Sequence, residues 1–136
     1  MSGLVVYYLS LMSEYKTYRE LDVWIKARAF VKEIYLFTKE FPKEELYGLT
    51  SQMRRCAISI PSNIAEGYGR QYKKETLHFF HIARGSLYEL ETQLYIAYDL
   101  MYLSGPVFES LILQMEECRK LLGGLIKYFE NNSNLK

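Results

Sequence analysis

Six basic side chains in the middle of this sequence could contact phosphate groups. They are Arg54, Arg55, Arg70, Lys73, Lys74 and Arg84. A guanidinium group offers paired hydrogen-bond donors to a phosphate, and glycines at positions 67 and 69 would let a ligand approach the backbone closely. Residues 46–90 hold six basic and three acidic side chains, a net charge of +3 in a chain of net charge +1. That charge is small for a dedicated nucleic-acid binder, and interleaved glutamates could pair with the arginines instead.

A polar stripe runs beside an apolar stripe between residues 49 and 70. The polar residues recur every three or four positions, as do the apolar ones, so the spacing predicts one helix that carries both faces. The short hydrogen-bonding groups and arginines of the polar face suit contact with another protein surface or a ligand. The predicted binding or inter-subunit polar cluster consists of Gln52, Arg54, Arg55, Ser59, Asn63, Glu66, Arg70, Arg84 and Glu89.

Catalytic and metal sites find little support in the sequence. Glu75 and His78 form a Glu-x-x-His pair of the kind that di-iron bundles use, but such sites need a second pair on another helix. His81, the other histidine, lies in the same predicted helix. No serine has a histidine at a spacing that suggests activation, so we expect no catalytic residues, metal, cofactor or small-molecule substrate.

Length and composition predict a single globular domain. The chain has 136 residues, of which 49% are hydrophobic and 24% charged. We expect an N-terminal extension at 1–13, a helical domain at 14–131 and a tail at 132–136, with an alternative translation start at Met12. Cys56 and Cys118 fall at apolar helix positions, which favours free thiols in the cytoplasm, and no segment is predicted to cross a membrane.

Four helical segments keep the three-four alternation of a helix bundle, and strand signals are absent. Short connections around Pro42, residues 67–74 and Gly105 would force consecutive helices to run antiparallel, which predicts an all-α, up-down-up-down four-helix bundle. We expect Asp22 to cap the first helix and the second to run from about 45 to 65. Pro61 should kink or restart that second helix, and glycines tolerant of positive φ should end it.

The third helix, predicted from Thr76 to Met101, carries more apolar surface than three neighbouring helices could cover. Tyrosine and phenylalanine are favoured at protein interfaces, so we expect self-association, against the alternative that wet tyrosines line a monomer. The predicted oligomer interface comprises Tyr88, Tyr95, Tyr102, Phe79 and Ile82.

Three motifs resemble the bacterial "four helix bundle protein" family, which was first noticed as reading frames inside intervening sequences of large-subunit ribosomal RNA genes. The motifs are LDVWIKA at 21–27, FPKEELYGLTSQMRRCAISIPSNIAEGYGR at 41–70 and HFFHIARGSLYELETQL at 78–94. The match extends from about residue 15 to residue 129, with Cys56 at a position usually held by a smaller residue. Residues 1–13 lie outside it.

This resemblance implies a four-helix bundle protomer in a ring-shaped homo-oligomer, a pentamer. The family also resembles the accessory variability protein of diversity-generating retroelements, a strongly basic relative that binds nucleic acid, whereas this chain is nearly neutral. We therefore expect a non-enzymatic, ribosomal-protein-like protein with an assembly or scaffold role. The alternative is an RNA-binding protein associated with ribosomal RNA that uses Arg54, Arg55, Arg70 and Arg84, and a separate protein partner remains open.

Overall fold

The computed structural model describes residues 17–132, together with Gly3. Apart from Gly3, the predicted extension at 1–13 lies outside the described residues, as do the alternative start at Met12 and all but the first residue of the predicted tail. Four α-helices follow one another: α1 (Asp22–Thr38), α2 (Leu49–Tyr68), α3 (Lys73–Asp99) and α4 (Gly105–Asn131). Short 3-10 helices, Tyr18–Glu20 and Lys43–Glu45, precede α1 and α2. Residues 17–132 contain no strand. The predicted all-α class with four helices is confirmed.

The helices pack in a closed cycle. Each helix contacts the next one in sequence, and α1 also contacts α4, whereas no backbone contact joins α1 to α3 or α2 to α4 within the described residues. The packing between α2 and α3 is the most extensive. Buried apolar side chains from all four helices, such as Phe30, Ile60, Phe80 and Met115, form one core. The fold is therefore held by a single apolar interior that every helix faces.

The predicted alternation marks the buried face of α3 as far as Ala97 and most of that of α4, but Met101 is exposed and several predicted helix ends are wrong. Leu21 is the N-cap of α1, with no side-chain cap, and Asp22 is already helical. Helix α2 begins at Leu49, after Gly48, because the 3-10 helix occupies the expected start near residue 45. Helix α3 ends at Asp99, and Met101 takes a left-handed conformation at φ 64° in the following turn.

Helix α2 continues without a break across Pro61. Proline has no N–H group and its ring conflicts with the carbonyl four residues earlier, so nearby hydroxyls often bond the exposed backbone. The Ser59 hydroxyl donates to the carbonyl oxygen of Cys56 at 2.6 Å. The predicted restart at Pro61 is therefore wrong, and the carbonyl that Ser59 bonds is not that of Ala57, which lies four residues before the proline.

Gly67 is required for a reason other than the predicted positive φ. No glycine among the described residues has a positive φ. A Cβ atom built on Gly67 would lie 2.8 Å from the Cβ of Phe79 and 3.0 Å from the carbonyl oxygen of Thr76. Since real Cβ atoms do not approach other heavy atoms so closely, Gly67 is what allows α2 and α3 to come together at this end.

Candidate functional site at the contact between α2 and α3

Small side chains with hydrogen-bonding groups link α2 to α3, and of these Ser59 belongs to the predicted cluster. The oxygen of the Ser59 hydroxyl lies 2.6 Å from the carbonyl oxygen of Cys56 and 2.7 Å from the hydroxyl oxygen of Ser86. Each hydroxyl has one proton, so Ser59 donates to the carbonyl and accepts from Ser86. The Cys56 thiol donates to the carbonyl oxygen of Ser86 at 3.0 Å, and the Asn63 amide donates to the carbonyl oxygen of Ser59 at 2.7 Å. The contacts of Ser86 with Ser59 and Cys56 join the two helices, whereas the Asn63 bond lies within α2.

A second polar link lies where α2 ends. The hydroxyl of Thr76, fully buried, donates to the carbonyl oxygen of Gly67 at 2.8 Å. That carbonyl belongs to the last turn of α2 and also accepts from the backbone N–H of Arg70 at 3.1 Å. Thr76 thus gives the end of α2 a second donor, and this bond, together with the absence of a side chain at Gly67, holds α3 against α2.

The four arginines of the predicted cluster do not converge. Arg54 points toward α1, where its Nε donates to the Thr38 hydroxyl at 2.9 Å and its guanidinium lies 4.6 Å from the ring centre of Tyr35. Arg55 is exposed on the outer side of α2. The structure therefore separates Arg54 from the remainder of the cluster, so a single phosphate site built from all four arginines is not present.

Arg70 and Arg84 contact groups close to them in sequence. The guanidinium of Arg70 pairs with Glu66 at 2.6 Å and lies 4.8 Å from the ring centre of Phe79. Nη2 of Arg84 lies 3.0 Å from Nδ1 of His81 on the same helix. Both contacts are at the surface, where such pairs contribute little to stability.

The two cysteines have strongly raised pKa values. Burial, reinforced by the negative charge of Glu89, raises the pKa of the Cys56 thiol to about 12. Burial, together with the charge of Glu117, raises the pKa of the Cys118 thiol to about 11. Both thiols are free and buried, as predicted. Because the thiolate is the reactive form, neither is suited to nucleophilic chemistry near neutral pH.

Gln93 is a polar residue of this contact that sequence reasoning missed. Its side chain is buried, and Oε1 has no hydrogen-bond partner within residues 17–132. Glu89, one turn earlier on α3, is exposed, as is Gln52 on α2. The available signal was the four-three spacing of Gln93 with Ser86 and Glu89, which repeats on α3 the polar stripe noticed on α2.

The five residues of the predicted oligomer interface do not share one face. Tyr88 and Tyr95 are half exposed, and Tyr95 lies 5.0 Å from the ring of Phe108 on α4. Ile82 is exposed on the flank of α3 nearer α2, and Phe79 is partly buried beneath Arg70. Tyr102 lies beyond the end of α3 and packs 5.2 Å from the ring of Phe41. The ladder of tyrosines seven residues apart therefore stops at Tyr95.

The remaining surface carries shallow grooves and no metal cluster. Lys74, Glu75 and His78 line a groove of about 480 Å³ with Arg70 and Phe79. Within residues 17–132, no three His, Cys, Asp or Glu side chains are grouped so that they could hold a metal ion. In the same part of the chain, none of the helices combines the length and apolarity that crossing a bilayer requires.

Residues 19–124 match the model of a family described as "23S rRNA-intervening sequence protein". The chain belongs to this family. The resemblance inferred from the three sequence motifs is thereby confirmed.

Among solved structures, one that resembles the structure of this chain is that of a Bacteroides thetaiotaomicron protein of unknown function from the S23 ribosomal protein family. That likeness has a TM-score of 0.71 and 24% sequence identity, and it covers 77% of this chain and 95% of the other. At this identity it shows the fold alone. Comparison with curated proteins gives no match.

Membership in the 23S rRNA-intervening sequence protein family relates the chain to ribosomal RNA genes without naming an activity. The described geometry adds that Ser59, Asn63 and Ser86 already have partners inside the protomer. Gln52, Arg55 and Glu89 of the cluster face outward, as do Glu66 and Arg70, which pair with each other. These are the members of the predicted cluster through which a partner could be recognised.

Proposed function

We propose that this 23S rRNA-intervening sequence protein is a non-enzymatic, up-down-up-down four-helix bundle that assembles into a ring-shaped homo-oligomer, a pentamer, with a scaffold role in the cytoplasm. The observation that carries the proposal is the number of large apolar side chains left uncovered on several helices. They include Ile25, Leu36, Ile58, Ile82, Ile96 and Leu113.

These side chains support self-association because of where they occur. Ile25 and Leu36 lie on the outer side of α1, and Ile82 and Ile96 lie on one flank of α3. Exposed apolar residues that occur singly need no explanation, but repeated ones along a helix face mark interaction sites. A protomer with two such faces can bind the next copy through one face and the preceding copy through the other, which allows a closed ring.

The non-enzymatic part of the proposal is supported by the state of the reactive groups. The thiols have pKa values raised to about 12 and about 11. The hydroxyl of Ser59 is committed to the backbone of its own helix. His78 and His81 are exposed, and Nδ1 of His81 lies 3.0 Å from the guanidinium of Arg84. No arrangement of nucleophile, base and orienting group is formed by these side chains.

The oligomeric state is tested by light scattering coupled to gel filtration, and by native mass spectrometry, at micromolar protein. A pentamer has five times the subunit mass of 16.1 kDa. A single species at the subunit mass over the whole concentration range would overturn the proposal. Another closed number, such as four or six, would keep self-association and correct the count.

RNA binding is the second candidate, favoured by the family description and by cations along the first half of α3. Lys74 is exposed there, and Arg55 is exposed on α2. Binding through these groups would be electrostatic and would weaken steeply with salt. We expect Arg55→Ala and Lys74→Ala to reduce salt-sensitive retention of RNA while the oligomer stays intact. Arg54→Ala is the matched control, since Arg54 is held against α1. A protein that elutes free of nucleic acid, with no retention at low salt, would remove this candidate.

A further inference from the structure

Helix α3 has a second seam besides the one that faces the core. Its residues follow the four-three spacing by which one helix packs against another. They are Ile82, Ser86, Glu89, Gln93 and Ile96. Ser86 and Gln93 are buried against the bundle, and Ser86 bonds to Ser59 of α2. Ile82 (40% exposed), Glu89 and Ile96 (43% exposed) lie at the surface, and although Glu89 interacts with the Cys56 thiol, no other helix covers these three side chains.

Gln93 indicates that this seam is incomplete in the isolated protomer. Its Oε1 atom is buried and unpaired within the described residues, while the side chain as a whole is only 6% exposed. Buried polar atoms in native proteins nearly always have a partner, so each exception requires an explanation. A donor arriving from outside along the seam would supply one.

A complementary stripe lies on the outer side of α1. Ile25, Ala29, Lys32 and Leu36 are all exposed and follow the same four-three spacing. Ile25 and Leu36 are 49% and 46% exposed. The stripe lies opposite the buried face of the same helix, so no other part of the described protomer covers it. It carries one cation among apolar residues, whereas the seam on α3 carries one anion.

We infer that the outer stripe of α1 in one copy docks onto the second seam of α3 in the next copy, with Lys32 against Glu89. The inference rests on the proposed self-association and names the two surfaces that make it. In both surfaces an isoleucine lies seven residues before the charged residue, about 10.5 Å along the helix axis, so apolar and charged contacts can form together. A lysine ammonium has three donors, and one of them can bond Oε1 of Gln93 if docking turns that buried side chain outward.

The two surfaces differ, which makes the contact heterologous. Such contacts leave one free surface of each kind on every added copy, and they close into a ring when the rotation between copies permits. The inference therefore explains a ring, rather than a two-fold dimer, without depending on the number of copies. It also accounts for exposed apolar residues on α1 that the sequence did not single out.

A charge exchange tests the contact directly. We expect Lys32→Glu and Glu89→Lys each to raise the protein concentration at which assembly is half complete by tenfold or more. The double variant should return that concentration to within a few-fold of the wild type. Lys127→Glu, an identical charge change at an exposed position of α4, is the control and should leave assembly unchanged. Far-UV circular dichroism and thermal melts verify that each variant is folded.

A mixing experiment tests heterology. One variant carries Ile25→Asp and Leu36→Asp, and another carries Ile82→Asp and Ile96→Asp, so that each retains a single intact surface. Each should be monomeric alone, and the mixture should form a one-to-one heterodimer with no larger species. Wild-type oligomers with no response to any of these changes would overturn the inference and leave self-association standing. A monomeric wild type would overturn both.

Discussion

The contact between α2 and α3 and the contact between α1 and α4 solve the same packing problem with different chemistry. The first uses small polar residues, with Ser59 bonded to Ser86 and Thr76 bonded to the backbone of Gly67. The second packs apolar side chains and has one ion pair, Lys26 with Glu117, in which both side chains are 50% exposed. Because hydrogen bonds are directional, the first contact allows only one relative position of its two helices, whereas the second depends chiefly on burying apolar area.

That difference explains why a polar stripe is a poor guide to a binding surface. Ser59, Asn63 and Ser86 have the composition of a recognition site, yet their hydrogen bonds are satisfied inside one protomer. Arg55 and Glu89 lie on the same two helices and face outward. A stripe that lies beside a helix contact thus serves packing on one side and a partner on the other.

The largest expected effect comes from adding one methyl group to the tight contact. Gly67→Ala places a Cβ atom 2.8 Å from the Cβ of Phe79 and 3.0 Å from a backbone oxygen, so the helices must move apart. We expect the free energy of unfolding to fall by about 2 kcal/mol or more, measured by urea titration.

Gly124→Ala is the matched control for that change. Gly124 lies inside α4, and a Cβ atom there would meet nothing within 4 Å. Since alanine favours helix over glycine, this variant should gain about 0.5–1 kcal/mol. Equal responses at the two glycines would show that the close approach of α2 and α3 contributes nothing to stability.

The second-largest expected effect on the free energy of unfolding comes from removing one buried hydroxyl while keeping the shape of the side chain. Thr76→Val removes one of two donors to the carbonyl oxygen of Gly67, the other being the backbone N–H of Arg70, and we expect a loss of about 1 kcal/mol in the same assay. Thr92→Val removes a hydroxyl that donates to the carbonyl oxygen of Tyr88 at the surface, where water can replace it. A loss of unfolding free energy in Thr92→Val as large as in Thr76→Val would contradict the expected difference between a buried and a surface hydrogen bond.

The sequence predicts the four helices because their apolar residues keep a helical period over long stretches. Phe80, Leu87 and Leu94 lie in the core as their spacing requires. Helix ends were less predictable, since caps depend on single backbone conformations: Gly48, rather than a residue near 45, precedes α2, and Met101 follows α3 with a positive φ.

The candidate site was predictable in its helices but not in its pairings. Spacing alone placed Arg54 and Arg55 together, although one turns toward α1 and the other outward, because adjacent residues of a helix point about 100° apart. The role of Gly67 required knowledge of which atoms of α3 lie opposite it. The sequence does not show that Gln93 is unusual, because only the structure reveals that its Oε1 atom is buried without a hydrogen-bond partner among the described residues.

The thiols offer a smaller, pH-dependent test of the interior. At pH 8, a pKa of about 12 makes the thiolate fraction of Cys56 roughly a thousandfold smaller than at the ordinary value of 9.0, so native protein should resist thiol labelling and urea should expose it. The pKa is raised in the folded state, so this stabilising contribution is complete below pH 9 and is lost as pH rises toward 12. Stability should fall less steeply over that range in Cys56→Ala, which controls for the tyrosines that titrate alongside. Rapid labelling of the native thiol would contradict the burial of Cys56.

The smallest expected effect lies at the contact between α1 and α4. The Lys26 ammonium is 2.9 Å from the Glu117 carboxylate, and this hydrogen bond and charge raise the pKa of Lys26. Both side chains are half in water, however, where screening and the entropy of holding two long side chains offset the attraction. Lys26→Met and Glu117→Gln, alone or together, should leave the urea midpoint unchanged within error at both low and high salt. A clear loss at low salt that disappears at high salt would show that the α1–α4 contact, like the contact of α2 with α3, depends on a specific polar link.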